Sequence, residues 1–231
     1  MIDSLYDNFK HWSVAGSVYI ISDTHFDDQD CKFMDPSWPS AQEQFDILKR
    51  TVHRDDTLIH LGDVGNVEWI KKLNCYKVLI TGNHDAGKKI YLRNEEYLDL
   101  YPSVEAARQA VRDGEIDCYE RILDTIIGKK DNKLFDEVYE GPLMIGEKIL
   151  LSHEPIYGLD WCVNIHGHDH GDRSTDWNHL NLASNVCDYT PVNLGALIKN
   201  GLLKDITTIH RITIDQATKN KKERKNEIKS V

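Results

Sequence analysis

The chain has 231 residues, 40% hydrophobic and 29% charged, which is enough apolar material for a folded core and too much for disorder throughout. Gly at 14, Pro at 6 and Cys at 5 exclude collagen-like chains and disulfide scaffolds. The formal net charge is −10; six bases against two acids in residues 219–231 leave −14 on residues 1–218, which excludes a general binder of duplex nucleic acid.

The N-terminal Met1, Ile2, Asp3, Ser4, Leu5, Tyr6 and Asp7 lack the basic and apolar regions of a signal peptide. No apolar run approaches the ~20 residues of a membrane span. The cysteines are odd in number and none stands in C-x-x-C spacing. That pattern predicts a reducing, cytoplasmic setting and argues against a zinc ribbon.

Short aliphatic and β-branched runs at 18–21, 57–61, 77–80, 148–151 and 162–165, with a weaker one at 180–182, predict strands buried on both faces. Between the first two, Ser40 and Glu43 have capping-box spacing ahead of a helical stripe of Phe45, Leu48 and Val52. Asn66 is placed to cap a short helix carrying Val67, Ile70 and Leu73. Strand–helix–strand alternation predicts an α/β layered fold.

Residues 88–133 break this rhythm. Ser103 precedes Val104, Ala107 and Val111, and after Gly114 come Tyr119, Ile122, Leu123 and Ile126. The pattern predicts a helical hairpin inserted between two strands. It reads either as a solvated excursion packed on the body or as a lid or homo-oligomer surface near the site. Ile206, Ile209, Thr213 and Ala217 then follow at helical spacing, and the basic residues 219–231 read as a disordered tail. The expected organisation is one domain over 1–218, with the insertion inside it, followed by that tail.

Each of the five stronger strands leads at once into residues that ligate metals. The first is followed by Asp23 and His25, the second by Gly62 and Asp63, and the third by Gly82, Asn83, His84 and Asp85. The fourth leads to His153, and the fifth to His166, Gly167, His168, Asp169 and His170. Ligands of α/β sheets bind at the carboxyl ends of strands, so five such clusters would converge on one crevice. Asp23 and His25 are two apart and share a side in extended backbone, as do His168 and His170.

Alone, each cluster is weak. An Asp-x-His at a strand end is more often a hydrogen-bonded turn, and the three closely spaced histidines could bind metal adventitiously. Together they place six of the eleven histidines at strand ends. Imidazole and carboxylate without thiolate suit manganese, iron, zinc or nickel and disfavour a structural zinc. His60, inside the second strand, reads as a buried hydrogen-bonded residue, and Asp27, Asp28 and Asp30 read as a solvated loop.

The ordered blocks D-x-H, G-D, G-N-H-D, a lone His and G-H-x-H resemble the signature of calcineurin-like metallophosphoesterases, over residues 18–194. The resemblance implies a two-sheet β-sandwich flanked by helices, α/β in class, with a dinuclear metal centre at the strand ends. It implies that Asp23, His25 and His170 hold one metal, that Asn83, His153 and His168 hold the other, and that Asp63 bridges them. The cofactors would be two divalent ions, manganese foremost, with iron, zinc or nickel as alternatives. His84 would lie over the phosphate and assist the leaving group, with Asp85 orienting its imidazole. His166, outside the motif, would support the ligands from behind.

Departures narrow the family. The second block continues as Val64, Gly65, Asn66, Val67 and Glu68, unlike the G-D-x-x-D-R-G of protein Ser/Thr phosphatases and diadenosine tetraphosphatases. His84 stands where UDP-diacylglucosamine pyrophosphohydrolases carry Arg, and the nuclease branch is longer. The closest match is to small bacterial and phage phosphodiesterases and phosphatases. The expected activity is hydrolysis of a small, nucleotide-derived phosphodiester or phosphomonoester by a metal-bridging hydroxide, with no membrane or duplex nucleic-acid partner. A nucleotide-sugar or lipid pyrophosphohydrolase, and a non-catalytic scaffold on the same fold, are the alternatives.

Overall fold

The computed structural model describes residues 1–85, 134–171 and 176–229, with side chains described to residue 221. The hairpin expected at 88–133 lies outside the described residues. A 3-10 helix over Asp7–Ser13 precedes β1 (Val18–Ile21), α1 (Cys31–Met34), α2 (Ala41–Thr51), β2 (Thr57–His60), α3 (Glu68–Lys71) and β3 (Tyr76–Ile80). After the undescribed stretch come β4 (Glu137–Tyr139), β5 (Leu143–Gly146), β6 (Ile149–Leu151), β7 (Val163–His166), β8 (His179–Asn181) and β9 (Val192–Asn193). Helices α4 (Leu194–Lys199) and α5 (Ile209–Lys229) close the described chain.

The strands form two mixed sheets. One has the order β4-β3-β2-β1-β9, parallel except for β9. The other has the order β5-β6-β7-β8, parallel except for β5. Alternation along the strands explains their continuous apolar runs. Val18, Ile20, Ile59, Leu61, Val78 and Ile80 meet Ile149, Leu151, Val163 and Ile165 between the sheets. Ile21, Leu58 and Leu79 point the other way, onto Phe45 and Leu48 of α2 and Ile70 of α3. The architecture is α/β, two facing sheets with helices packed outside.

Helix α2 starts on a reciprocal cap: Ser40 N–H donates to Glu43 Oε2 at 2.8 Å, and Glu43 N–H donates to Ser40 Oγ at 3.3 Å. Helix α3 starts one residue later than the sequence predicts. Val67 holds its cap position, while Asn66 Oδ1 still accepts from Glu68 N–H at 3.2 Å.

The 3-10 helix is fixed by a contact that no local pattern announces. Glu137 Oε1 on the edge strand β4 accepts from Trp12 Nε1 at 2.9 Å and Tyr76 OH at 2.7 Å, with His11 Nε2 at 2.6 Å. Burial works to raise the Glu137 pKa, but these donors and Tyr139 hold it below the usual carboxylate value.

The basic residues expected as a tail run directly on within the last helix. Helix α5 continues through residues 219–229, so the expected boundary at 218 falls inside a helix. The reason is local. From Leu202 onward the chain has no Gly or Pro, and its last part is rich in Lys, Arg and Glu, which propagate helices well. No helix among the described residues is long and apolar enough to cross a membrane.

Ser40→Ala removes the hydroxyl that caps α2 and is expected to cost about 1 kcal/mol of stability, read as a lower midpoint in urea denaturation at constant slope.

Candidate metal centre

The loops that leave β1, β2 and β3 run against one another. Asp23 N–H donates to the Gly62 carbonyl at 2.9 Å and His25 N–H to the Asp63 carbonyl at 3.0 Å. The buried Asp85 carboxylate ties the third loop to the second, accepting from the N–H groups of Gly82 (2.9 Å), Asp63 (2.7 Å) and Val64 (3.1 Å). The second sheet joins through its own strand ends. Ser22 N–H donates to the Leu182 carbonyl at 2.9 Å, and His168 N–H donates to Asp23 Oδ2 at 2.8 Å.

Such close passage sets the local sequence. A side chain at Gly82 would strike the Asp63 carboxylate, and one at Gly167 would strike both Asp23 Oδ2 and Ser22 Oγ. Asp23, His25, Asp63 and His168 all have positive φ, a conformation that holds their side chains toward the crevice.

Two donor sets result. Ligand atoms of Asp23, His25 and His170 lie within 4.8 Å of one another, as do those of Asp63, His153 and His168. In the first set Asp23 Oδ1 and His25 Nε2 are buried with no hydrogen-bond partner, and His170 Nε2 is 3.7 Å from that Asp23 oxygen. In the second, His153 Nε2 lies 2.7 Å from Asn83 Oδ1, 3.2 Å from His168 Nδ1 and 3.4 Å from Asp63 Oδ2. The same Asp63 oxygen is 3.6 Å from His25 Nε2. One carboxylate oxygen therefore reaches both sets.

Orphaned buried acceptors are costly in a folded protein, and a divalent cation would satisfy them. The far nitrogens of three imidazoles are held from behind. His25 Nδ1 faces Asp28 Oδ2 at 3.2 Å, His153 Nδ1 faces the Leu61 carbonyl at 2.9 Å, and His170 Nδ1 faces Asn185 Oδ1 at 3.0 Å. Each contact turns Nε2 inward, as in metal sites where a second acceptor fixes the ring.

Charge in the crevice is distributed unevenly. Burial works to raise the Asp63 pKa, yet the His153 imidazole, the His84 N–H and His25 hold it at about 2. Burial works to lower the His153 pKa, but bonding to Asp63 and the field of Asp23 outweigh it and lift the value to about 8. Burial keeps His25 below the ordinary histidine range, against the pull of Asp63 and Asp23.

A family model for calcineurin-like phosphoesterases matches residues 16–194. The chain belongs to this family. Its members are metal-dependent and act on phosphate esters. The crystal structure of a protein of unknown function from Aquifex aeolicus is 23% identical, with 80% of this chain and 98% of that chain covered and a TM-score of 0.50. At that identity the likeness speaks for the fold alone. No curated protein matches the sequence significantly.

All seven residues that the family motif marks as ligands line this one crevice. His84 stands at its mouth. Its side chain is 52% exposed, its Nε2 is 4.0 Å from Asp63 Oδ2, and its backbone N–H donates to Asp63 Oδ1 at 2.8 Å. Both carboxylate oxygens of Asp85 anchor backbone amides of the loops that carry Asp63 and His84. His166 lies behind the centre, with Nδ1 2.8 Å from the Gly167 carbonyl, and burial lowers its pKa.

His60 is buried as expected. Its Nδ1 accepts from Gly62 N–H at 3.2 Å and its Nε2 lies 3.0 Å from Thr24 Oγ1. Complete burial pushes its pKa to about 3, so it stays neutral. The loop after His25 is less solvated than its composition suggested. Asp28 backs His25, and Asp27 Oδ2 accepts from Asn66 Nδ2 at 2.8 Å and Trp69 Nε1 at 2.7 Å. Two further neighbours were missed. Asn185, fifteen positions from its partner His170, has no spacing that would reveal it. Trp38, whose ring lies 5.6 Å from that of His170 and 6.3 Å from that of His25, reads in sequence as an ordinary loop aromatic.

A cation taken up by the Asp63, His153 and His168 set would have to displace the proton that His153 carries below about pH 8. Affinity of the metal-free protein for Mn²⁺ is therefore expected to rise with pH through neutrality and level off above about 8, with proton release measurable by calorimetry in buffers of different ionisation enthalpy. Gly167→Ala drives a methyl group into Asp23 and Ser22. It is expected to destabilise the fold by about 1–3 kcal/mol and to lower bound metal, read by denaturation and elemental analysis.

Proposed function

We propose that the protein is a dinuclear metal-dependent hydrolase of a small phosphodiester or phosphomonoester, with a nucleotide-derived compound as substrate. The observation that carries this reading is the Asp63 carboxylate oxygen that reaches His25 of one donor set and His153 of the other. Asp23, His25 and His170 would hold one divalent cation, and Asn83, His153 and His168 the other, with Asp63 shared between them. Such a pair of cations supplies charge to the phosphoryl oxygens and acidifies a water molecule for in-line attack. The donor chemistry fits manganese first, then iron, zinc or nickel.

The residues of the chain do the rest. Asp28, the Leu61 carbonyl and Asn185 keep three imidazoles aimed inward. His84, tethered to Asp63 through its backbone and open at the crevice mouth, would hand a proton to the departing oxygen. Asp85 keeps the two loops that carry Asp63 and His84 in register. On an acidic chain this cluster of imidazoles and cations would be the local attraction for an anion.

Protein reconstituted with Mn²⁺ is expected to hydrolyse bis-p-nitrophenyl phosphate or p-nitrophenyl phosphate, and the ratio of the two rates assigns the diester or monoester preference. A chelator should abolish turnover, and Asp63→Asn should remove both turnover and bound metal. His84→Ala should lower kcat by roughly 10²–10⁴ while metal content is retained. Absence of turnover on both esters by fully loaded protein would overturn the reading.

A further inference from the structure

We propose that a cleft beside Asn83 and His153 receives the organic group of the phosphate ester, and that it selects an uncharged group of about nucleoside size. This inference rests on the phosphoesterase reading above.

The cleft has a volume of about 380 Å³. That falls in the lower part of the range of small-molecule sites, roughly 300–1,000 Å³. Two of the converging donors, Asn83 and His153, form one side. Pro142, Pro155 and Ile156 also line it. A phosphate gripped at the donors therefore has an apolar recess within reach of one of its ester oxygens. Among the described residues that line the cleft, Glu154 carries the one carboxylate and there is no Lys or Arg. A second phosphate lodged in the recess would lie beside the Glu154 carboxylate with no Lys or Arg among those lining residues to offset it, so the recess discriminates by repulsion as well as by shape.

The wall is built before any ligand arrives. Ile156 N–H donates to Asn164 Oδ1 at 2.7 Å, and the Ile156 carbonyl lies 3.0 Å from His179 Nε2. His179 is in turn held by Asp176, with Nδ1 2.6 Å from Oδ1. Ser152 Oγ donates to the Glu154 carbonyl at 2.6 Å. The backbone of residues 154–156 is thus pinned from β7 and β8, and little ordering cost is left for binding.

The test is calorimetric titration of the Mn²⁺-loaded full chain with inorganic phosphate, thymidine 5′-monophosphate and thymidine 5′-diphosphate. Wild-type protein should bind the monophosphate about tenfold or more tighter than phosphate. Ile156→Trp, which fills the recess, should erase that advantage and leave phosphate affinity within about twofold. Glu154→Lys, at an exposed position, should raise diphosphate affinity relative to monophosphate by about fivefold or more, and it carries the test should Ile156→Trp fail to fold. Equal wild-type affinities for phosphate and monophosphate, or an unchanged ratio in Glu154→Lys, would overturn the subsite while leaving the metal centre standing. Loaded protein that binds no phosphate would overturn both.

Discussion

One buried carboxylate, Asp23, belongs to both sheets at once. It leaves the end of β1 with its N–H donated to the Gly62 carbonyl of the first sheet, its Oδ2 accepting from the His168 N–H of the second, and its backbone carbonyl accepting from the Ser184 hydroxyl. Its remaining oxygen, Oδ1, has no partner. The position of every candidate ligand follows from this seam. Asp23, His25, Asp63 and Asn83 come from one sheet and His153, His168 and His170 from the other, so the donor sets exist only if the sheets meet in this register.

Holding acidic and imidazole groups so close requires unfavourable backbone. Four of the seven non-glycine residues with positive φ among the described residues are candidate ligands. Each such conformation costs of order 1 kcal/mol or more, and the packed interior of the sandwich offsets it. The result is a site shaped in advance of any cation, with the Asp63 carboxylate held low in pKa and three imidazoles backed by acceptors. His60 makes the contrast clear: as the last residue of β2, still paired within the sheet, the same side chain type is sealed in and kept neutral.

Six strands, the α2 cap and the five ligand blocks were legible in the sequence, because each depends on neighbours within a few residues. Runs such as Val18 to Ile21 announce burial, and Ser40 with Glu43 announces a helix start. Strands β4, β5 and β9 were not legible. Val192 and Asn193 form a strand only because β1 offers an edge, and Glu137 to Tyr139 because β3 does. The supporting side chains were equally hidden. Asp28 stands three residues from His25, a spacing that could have suggested the contact, whereas Asn185 meets His170 only through the fold. The anchoring of the Gly82, Asp63 and Val64 amides by Asp85 was hidden too, because a motif places a residue without saying which way its carboxylate turns.

Strands β3 and β4 pair in parallel with direct register from Val78 to Glu137. Whatever lies between them must return from the end of one strand to the start of the next, and both ends of that path are fixed by the sheet. Closing a longer path costs only slowly more, as the logarithm of its length. The fold thus has a point where chain can be gained or lost over evolution without shifting the seam that positions Asp23 and Asp63. That point begins one residue after Asp85, so chain gained or lost there leaves the register of β3 on β2, and with it the loop that carries Asn83 and His84, unchanged.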